Sequence, residues 1–475
     1  MRLAKSFVIL ALTGCAVGPN YQRPETPTPA GYRGADSSQI ADSARSIADV
    51  PWWTLFKDTT LTNLIHQGLA GNFDLRIATA RVDQAAAFIG VAKSQYWPQI
   101  DAGVGASRTH FSTDQLGATA VDRNRTTVGA NLGLSWEIDL FGRVRRMSES
   151  ATAQFLATEE ARRGVLVDLV ASIGQAYLSL RELDLELEIA HRTLDTRRGT
   201  LTLFQQRFAG GVASNLEVQQ AAADVAQTEA TIPDLERRIV AQENLINFLL
   251  GRGPGTVPRG TTLETQALPP EVPVGLPSTL LERRPDVLVA ENNLVSANAE
   301  VGVAKADFFP RISLTGLFGV ATGELKNLGS TDALLWSVGG GLLQPIFHGG
   351  AIRKNYQASL AARDAAIAEY LRSTQNAFRE VANALADVHQ LRLVRISADS
   401  QVIALREAAR LARIRYEGGL SNYLEVLDAD RRLFGAENEL AQTIQVQVGS
   451  YIDLYRALGG GWNADQPAQA DSTKK

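Results

Sequence analysis

An internal duplication limits the folds open to this chain more than any other feature. Residues 89–100 resemble residues 301–312, which lie 212 positions later, and residues 207–218 resemble residues 415–426, which lie 208 positions later. Two matches in the same order predict two copies of one structural unit rather than a solenoid of short repeats. We therefore expect each half to contain a helix, a strand pair, a very long helix, a turn and a return helix.

Long proline-free stretches predict the very long helices. No proline occurs in residues 99–232 or 346–466, and helix interiors exclude proline because it lacks an N–H donor and clashes with the preceding turn. Apolar residues recur at heptad spacing in the first stretch, at Leu166, Ile173, Leu180, Leu187 and Leu194. This spacing is typical of a coiled coil. We expect helices over residues 144–208 and 351–416.

A glycine pair and a serine follow each long helix. These turn residues are Gly210, Gly211, Ser214, Gly418, Gly419 and Ser421. Glycine adopts the left-handed conformation that ends many helices, and a serine side chain can cap the helix that follows. Ser214 and Ser421 are therefore the predicted N-caps of return helices that extend to residues 250 and 458.

Four segments alternate with period two and predict strands. The clearest covers residues 127–138, in which apolar side chains alternate with small or polar ones. The others start at Gln99 or cover approximately residues 312–320 and 334–347. One apolar face and one small or polar face fit strands between lipid and water. A soluble antiparallel sheet over a helical core is the alternative.

Four strands are too few to span a membrane alone. Open sheet edges would leave backbone groups unpaired in lipid, and a spanning barrel needs about eight strands or more. We therefore predict that copies of the chain share one barrel. Small residues such as Ala221, Ala222 and Ala223 favour close side-by-side packing of the helices that would continue it.

The N-terminal sequence predicts a bacterial lipoprotein signal. Two basic residues precede a short apolar run, residues 7–12, and the segment Leu12-Thr13-Gly14-Cys15 is a lipobox. Because Cys15 is the only cysteine, we predict that residues 1–14 are a signal peptide and that Cys15 carries a covalent lipid. An ordinary signal peptide with a chance cysteine is the alternative.

Composition argues against several other functions. The formal net charge is −4, from 47 basic and 51 acidic residues, so no basic excess indicates nucleic-acid binding. The five histidines are scattered, and we expect no metal site and no disulfide framework. The sequence contains no P-loop, dinucleotide-binding glycine motif, zinc-protease motif or nucleophile elbow. We expect no enzymatic activity, no catalytic residues and no cofactor other than the lipid on Cys15.

Several motifs in combination resemble one protein family. They are the lipobox followed by residues 18–24, the two Val-Ala-Lys repeats that end in an aromatic residue and proline, residues 140–143, and residues 415–429. Together they resemble the outer-membrane factor of tripartite efflux systems, in the NodT-type lipoprotein branch of TolC-like channel-tunnels. The resemblance covers nearly the whole chain.

The resemblance implies an α+β membrane protein that assembles as a homotrimer. Three copies of four strands would form a 12-stranded outer-membrane β-barrel, continued by a 12-helix periplasmic α-barrel of long coiled-coil helices. The family implies a passive exit duct for drugs or other small molecules, opened by a periplasmic adaptor protein and driven by an inner-membrane efflux transporter. A coiled-coil periplasmic scaffold lipoprotein without a pore is the alternative.

The predicted domain organisation follows the duplication. Residues 15–57, which contain five prolines, are predicted to be a lipidated extended linker. Residues 58–253 form the first repeat and residues 286–458 the second. Residues 254–285 form a connector, which the family places in an equatorial region, and residues 459–475 form a polar C-terminal tail.

The resemblance also implies a periplasmic gate at the turns. Glu425 and Asp428 match positions at which family members close the tunnel with acidic rings, although the family usually has aspartate at the position of Glu425; Glu217 is its counterpart in the first repeat. Three copies would place six carboxylates around a narrow neck, where they attract cations. Two solvated helix acids are the alternative.

We predict two further roles for residues in and near the turns, namely contact with the adaptor and locking of the gate. The glycines and serines of both turns are predicted to contact the adaptor. Arg207 and Arg415 precede the turns and are predicted to lock the gate by pairing with acids of neighbouring helices. Solvated arginines are the alternative, since a single surface ion pair contributes only about 0–1 kcal/mol.

Overall fold

The structure is a computed structural model that describes residues 16–29, 31–33, 56–112, 124–266 and 277–460. Two compact units divide these residues. Unit 1 contains residues up to Glu25 with Arg81–Glu159 and Val289–Leu371, and unit 2 contains Thr26–Ala80, Glu160–Leu288 and the residues from Arg372 onward. The predicted signal peptide, Cys15 and nearly all of the predicted C-terminal tail lie outside the described residues.

Long helices and one sheet make up the described chain. In chain order the elements are α1 (Thr59–Gly71), α2 (Phe73–Ser94), β1 (Gln99–His110), β2 (Asn124–Ile138), α3 (Arg143–Ala209), α4 (Asn215–Leu249), α5 (Pro277–Arg283), α6 (Pro285–Ala306), β3 (Arg311–Thr322), β4 (Leu334–Leu343), α7 (Ala351–Glu417) and α8 (Tyr423–Ala457). The long helices and the four strands lie where the sequence predicts them, with β4 ending four residues early.

The four strands of unit 1 form an antiparallel sheet in the order β1-β2-β3-β4. The register places Leu132 opposite Phe318, and Phe318 opposite Trp336. Because strand side chains alternate between faces, these apolar residues share one face, and small or polar residues such as Ser337 occupy the other. Within the described residues, β1 and β4 each pair with one neighbour only, so the sheet has two open edges.

Part of the predicted linker packs on unit 1. The backbone N–H of Val17 donates to the carbonyl of Phe141 at 3.1 Å, and Asn298 Nδ2 donates to the carbonyl of Pro19 at 2.9 Å. Arg23 binds the Glu291 carboxylate through two nitrogens, at 2.7 and 2.6 Å. An extended, proline-rich segment has no internal hydrogen bonds, so its backbone groups are free to bond to unit 1.

Helices α3 and α4 form one helical hairpin, and α7 and α8 form a second of the same length, as the duplication predicts. Helices α3 and α7 have 67 residues each, and α4 and α8 have 35 each. Four of the five heptad leucine and isoleucine positions of α3 are buried in unit 2, and Ile173 and Leu180 have no exposed surface, whereas Leu187 is partly exposed. Asp58 caps α1, and its second carboxylate oxygen accepts from Tyr177 Oη on α3 at 3.0 Å.

Among the described residues, no helix is both long enough and apolar enough to cross a lipid bilayer.

Candidate functional site at the two helical turns

A glycine with positive φ lies two residues beyond the end of each long helix. Gly211 has φ +74° and Gly419 has φ +72°. The next backbone N–H in each turn bonds back across the helix end: Val212 donates to the Arg207 carbonyl at 2.9 Å, and Leu420 donates to the Arg415 carbonyl at 2.8 Å. These bonds satisfy carbonyls that the helix leaves unpaired. A side chain at either glycine would strain the turn.

The two return helices have different N-caps. Ser214 caps α4: its Oγ accepts from the Glu217 N–H at 3.3 Å, while the Glu217 carboxylate accepts from the Ser214 N–H at 2.8 Å. Asn422, rather than Ser421, caps α8, with Oδ1 accepting from the Glu425 N–H at 3.3 Å. The prediction for Ser421 is therefore wrong. The 208-residue offset pairs Ser214 with Asn422, and the buried Ser421 Oγ has no hydrogen-bond partner among the described residues.

An aromatic cluster lies beneath the turns. Ring centroids of Phe204 and Tyr423 are 4.4 Å apart, and each ring is within 6 Å of the Tyr416 ring in edge-to-face geometry. Ala221 and Ala412 pack against the cluster. Burial raises the pKa of Tyr423 to about 12. Sequence reasoning missed this cluster, although Tyr423 replaces the Asn215 of the first repeat.

The two predicted gate acids lie exposed just past the second turn, and each has an arginine partner. Arg415 Nε lies 3.3 Å from Glu425 Oε1, and Arg432 Nε lies 2.9 Å from Asp428 Oδ2. The two acids lie within one helical turn of each other on α8. Arg432 was not predicted, although its spacing of four from Asp428 is a sequence signal for an ion pair.

Glu217 belongs to a different contact that joins the two hairpins. Tyr416 Oη on α7 donates to Glu217 Oε1 on α4 at 3.3 Å. The guanidinium of Arg207 lies over the Tyr416 ring, 5.7 Å from its centroid. Burial, and then the charge of Glu217, raise the pKa of Tyr416. Arg415 thus has an acidic partner in Glu425, whereas Arg207 contacts an aromatic ring.

Exposed aliphatic side chains surround the turn glycines. Val212 and Leu216 in the first repeat, and Leu420 and Leu424 in the second, are more than half exposed. They occupy equivalent positions, 208 residues apart. Exposed apolar groups that recur on a protein surface are typical of a binding site for another protein. The sequence prediction named the glycines and serines here and missed these four residues.

Buried acids join the helices farther from the turns. Asp224 on α4 accepts from Arg431 on α8 at 2.8 Å. Glu437 on α8 accepts from Arg192 on α3 and Arg406 on α7, at 2.8 Å each. Burial raises the pKa of Asp430, while Arg413 opposes the shift. Among the described residues, no group of three or more histidine, cysteine and acidic residues could hold a metal ion.

Comparisons with known proteins give consistent results. A model of the outer membrane efflux protein family matches residues 64–252 and 276–460. The solvent efflux pump outer membrane protein SrpC of Pseudomonas putida is 36% identical over 464 residues, which cover 97% of this chain and 98% of SrpC. The cation efflux system protein CusC of Escherichia coli K12 is 34% identical over 456 residues, which cover 96% of this chain and 98% of CusC.

A solved structure gives the same result for the fold. The outer-membrane channel OprN superimposes on this chain with a TM-score of 0.86 and 36% sequence identity. The match covers 94% of this chain and 100% of that one.

Proposed function

Because this chain belongs to the outer membrane efflux protein family, we propose that it forms a passive exit duct, which a periplasmic adaptor opens and an inner-membrane transporter supplies. The protein is an outer-membrane channel of an efflux system and extends into the periplasm. A scaffold without a pore is not favoured, because relatives that match almost the whole chain belong to efflux pumps. The relatives' names refer to solvents and to cations, and for this chain we propose small-molecule cargo.

The sheet supports a trimer. Its apolar and polar faces suit lipid and water, and its open edges at β1 and β4 would be costly in a membrane. Three copies would pair these edges and close a twelve-stranded sheet, and three copies of α3, α4, α7 and α8 would supply the twelve helices that continue it. This amphipathic, open-edged sheet is the observation that carries the proposed function.

Bilayer recording tests the duct. The purified full chain should run as a heat-labile trimer in mild detergent and conduct ions across planar bilayers. A scaffold lipoprotein would do neither. A stable monomer that never inserts into bilayers would contradict the proposed function.

A lipid on Cys15 would fix the N-terminus beside the sheet. The lipobox supports the modification, and the contacts of Val17 with Phe141 and of Pro19 with Asn298 hold the residues that follow Cys15 on unit 1. The acyl chains would then enter the membrane close to the exit of β2. We propose no cofactor other than this lipid.

The acids past the second turn form the proposed gate. Glu425 and Asp428 are exposed and close together on α8, so three copies would present six carboxylates to the axis. Arg415 and Arg432 neutralise part of this charge, so the cation preference should be moderate. Opening would have to break the Arg415–Glu425 and Tyr416–Glu217 contacts in every copy.

The gate has its own test. The double change Glu425→Gln and Asp428→Asn should lower the cation-to-anion permeability ratio several-fold, because the fixed negative charge at the neck is lost. Glu439→Gln, at an exposed acid on the same helix, is the matched control and should leave the ratio unchanged. An unchanged permeability ratio in the double variant would contradict the proposed acidic gate but would not contradict the proposed duct.

The turns form the proposed adaptor contact. Gly210, Gly211, Gly418 and Gly419 shape them, and exposed Val212 and Leu420 supply apolar surface. Ser214 and Ser421 lie in the same turns. Leu420→Asp should abolish co-purification with the adaptor, whereas a change at exposed Leu393, elsewhere on α7, should not.

A further inference from the structure

A groove in unit 2 belongs to neither the turns nor the proposed gate acids. It has a volume of about 660 Å³ and is lined by α3, α7 and α8. Small-molecule sites in proteins commonly occupy about 300–1,000 Å³ and combine apolar surface with a few polar groups. Leu433 and Phe434 of α8 and Ile414 of α7 provide apolar lining here.

Arg197 is the unusual residue of this groove. Its side chain is more than nine-tenths buried, with 8% of the residue exposed. Nη1 donates to the Asp224 carbonyl at 3.1 Å and to Thr228 Oγ1 at 2.6 Å, and the guanidinium lies 5.6 Å from the Phe434 ring centroid. Both hydrogen-bond acceptors are neutral. Within the described part of the chain, Nε and Nη2 have no hydrogen-bond partner, and the side chain forms no ion pair.

The neighbouring acids accept hydrogen bonds from other arginines, although the charge of Arg197 also acts on Asp430 and opposes the rise in its pKa. Glu437 accepts from Arg192 and Arg406, and the Asp430 carboxylate accepts from Arg413. The Asp224 carboxylate binds Arg431. The groove lining carries five arginines against four carboxylates, so its formal charge is positive. A buried cation is costly unless an anion compensates it.

We infer that this groove binds an organic anion with an apolar body. Its carboxylate or sulfonate would accept hydrogen bonds from Nε and Nη2 of Arg197, which form the planar pair of donors that suits such groups. Its apolar body would lie on Phe434 and Leu433. A bound ligand would contact α3, α7 and α8 together, so occupancy stabilises unit 2. The site goes beyond the proposed function and does not depend on the gate.

Cholate is the probe for this site, because it joins one carboxylate to a rigid apolar body. Calorimetric titration of the full chain, purified in a neutral maltoside detergent, should show saturable binding of one cholate per chain. Cholate methyl ester lacks the charge and should bind at least tenfold more weakly. Acetate lacks the apolar body and should not bind measurably. Equal binding of cholate and its ester, or the absence of saturable binding, would overturn the proposal.

Two variants locate the site. Arg197→Met should weaken cholate binding at least tenfold, whereas Arg198→Met, at a neighbour that pairs with Glu229 on the exposed surface, should not. Thr196→Trp fills the groove from an exposed position and leaves the Arg197 hydrogen bonds in place. It keeps the test decisive if Arg197→Met fails to fold. Wild-type affinity in Thr196→Trp would refute the groove as the binding site.

Discussion

At the scale of single residues, Tyr416 connects the two hairpins through one hydroxyl group. It belongs to α7, yet its Oη donates to Glu217 at the start of α4. Glu217 also accepts from the Ser214 N–H, so one carboxylate both caps its helix and holds the neighbouring hairpin. The two turns are therefore linked by a bond that a small change can remove.

Tyr416→Phe removes that bond and keeps the aromatic cluster. A hydrogen bond to a charged group contributes about 1.5–3 kcal/mol, so we expect the open probability in bilayer recordings to rise by at least roughly tenfold at constant open-channel conductance. Tyr356→Phe, in unit 1, is the control for the same chemical change. A Tyr416→Phe channel that opens as seldom as the wild type would show that this contact does not hold the gate.

Some features of single residues could be predicted from the sequence, and others could not. The glycines of the turns follow from helix-ending rules, and Glu425 and Asp428 follow from the family resemblance. The Asn422 cap could have been found by applying the repeat offset consistently. The Tyr416–Glu217 bond and the unpaired Arg197 could not be predicted, because they depend on which helices become neighbours and on the rotamers that packing selects.

At the scale of elements, α3 carries a buried pair of acids, Glu182 and Glu186. Glu182 and Glu186 lie four residues apart, so they share one face of the helix, and both are buried. Glu186 faces Arg238 of α4 at 3.3 Å and Gln442 of α8 at 2.9 Å. Burial, followed by the charge of Glu186, raises the pKa of Glu182 to about 8.

This pair predicts a stability that falls with pH. The unfolded chain releases the Glu182 proton near the ordinary glutamate pKa of about 4.3, whereas the folded chain keeps it until about pH 8. Folding stability therefore decreases as pH rises through that interval and levels off above it. Glu182→Gln should raise the unfolding midpoint by a few degrees at pH 9 and change it little at pH 5. The measurement is thermal unfolding at both pH values.

The control for this prediction is Glu188→Gln, at an exposed acid on the same helix. It should have no pH-dependent effect. If Glu182→Gln shifts the unfolding midpoint equally at pH 5 and pH 9, the prediction is wrong. The difference from the wild type would then come from packing and not from the proton on Glu182.

Element boundaries were predicted well because local rules determine them. Helices α3 and α7 begin and end within one residue of the predicted bounds, since proline is absent inside them and a glycine pair follows each. The end of β4 was predicted four residues late, because the apolar pattern continues past Leu343 to Ile346 and Phe347 while the ladder with β3 ends at Leu343. The packing of residues 16–23 on unit 1 was missed because it depends on tertiary acceptors and donors.

At the scale of the whole molecule, the two faces of the sheet determine how the protein inserts. Val338 and Ser337 are neighbours on β4 whose side chains point to opposite faces. Val338 lies on the apolar face and is 80% exposed. If this face contacts lipid, a charge there is costly, whereas a charge on the other face meets water.

Val338→Lys should therefore reduce the amount of trimer in the outer membrane strongly, because a lysine on a lipid-facing strand costs about 2–4 kcal/mol at the bilayer midplane. Ser337→Lys introduces the same residue one position away and should insert normally. Quantifying heat-labile trimers in outer-membrane fractions distinguishes the two. Equal yields from both variants would contradict the assignment of the faces.

The matched lengths of the two hairpins restrict how this protein can change. Each long helix has 67 residues and each return helix 35, and Phe204, Ala221 and Tyr423 pack the two ends together. Deleting one heptad from a single hairpin would recess its end by about 10 Å and split that shared cluster. Insertions or deletions that keep the protein functional should therefore occur in both hairpins together, so that evolution changes the two lengths equally.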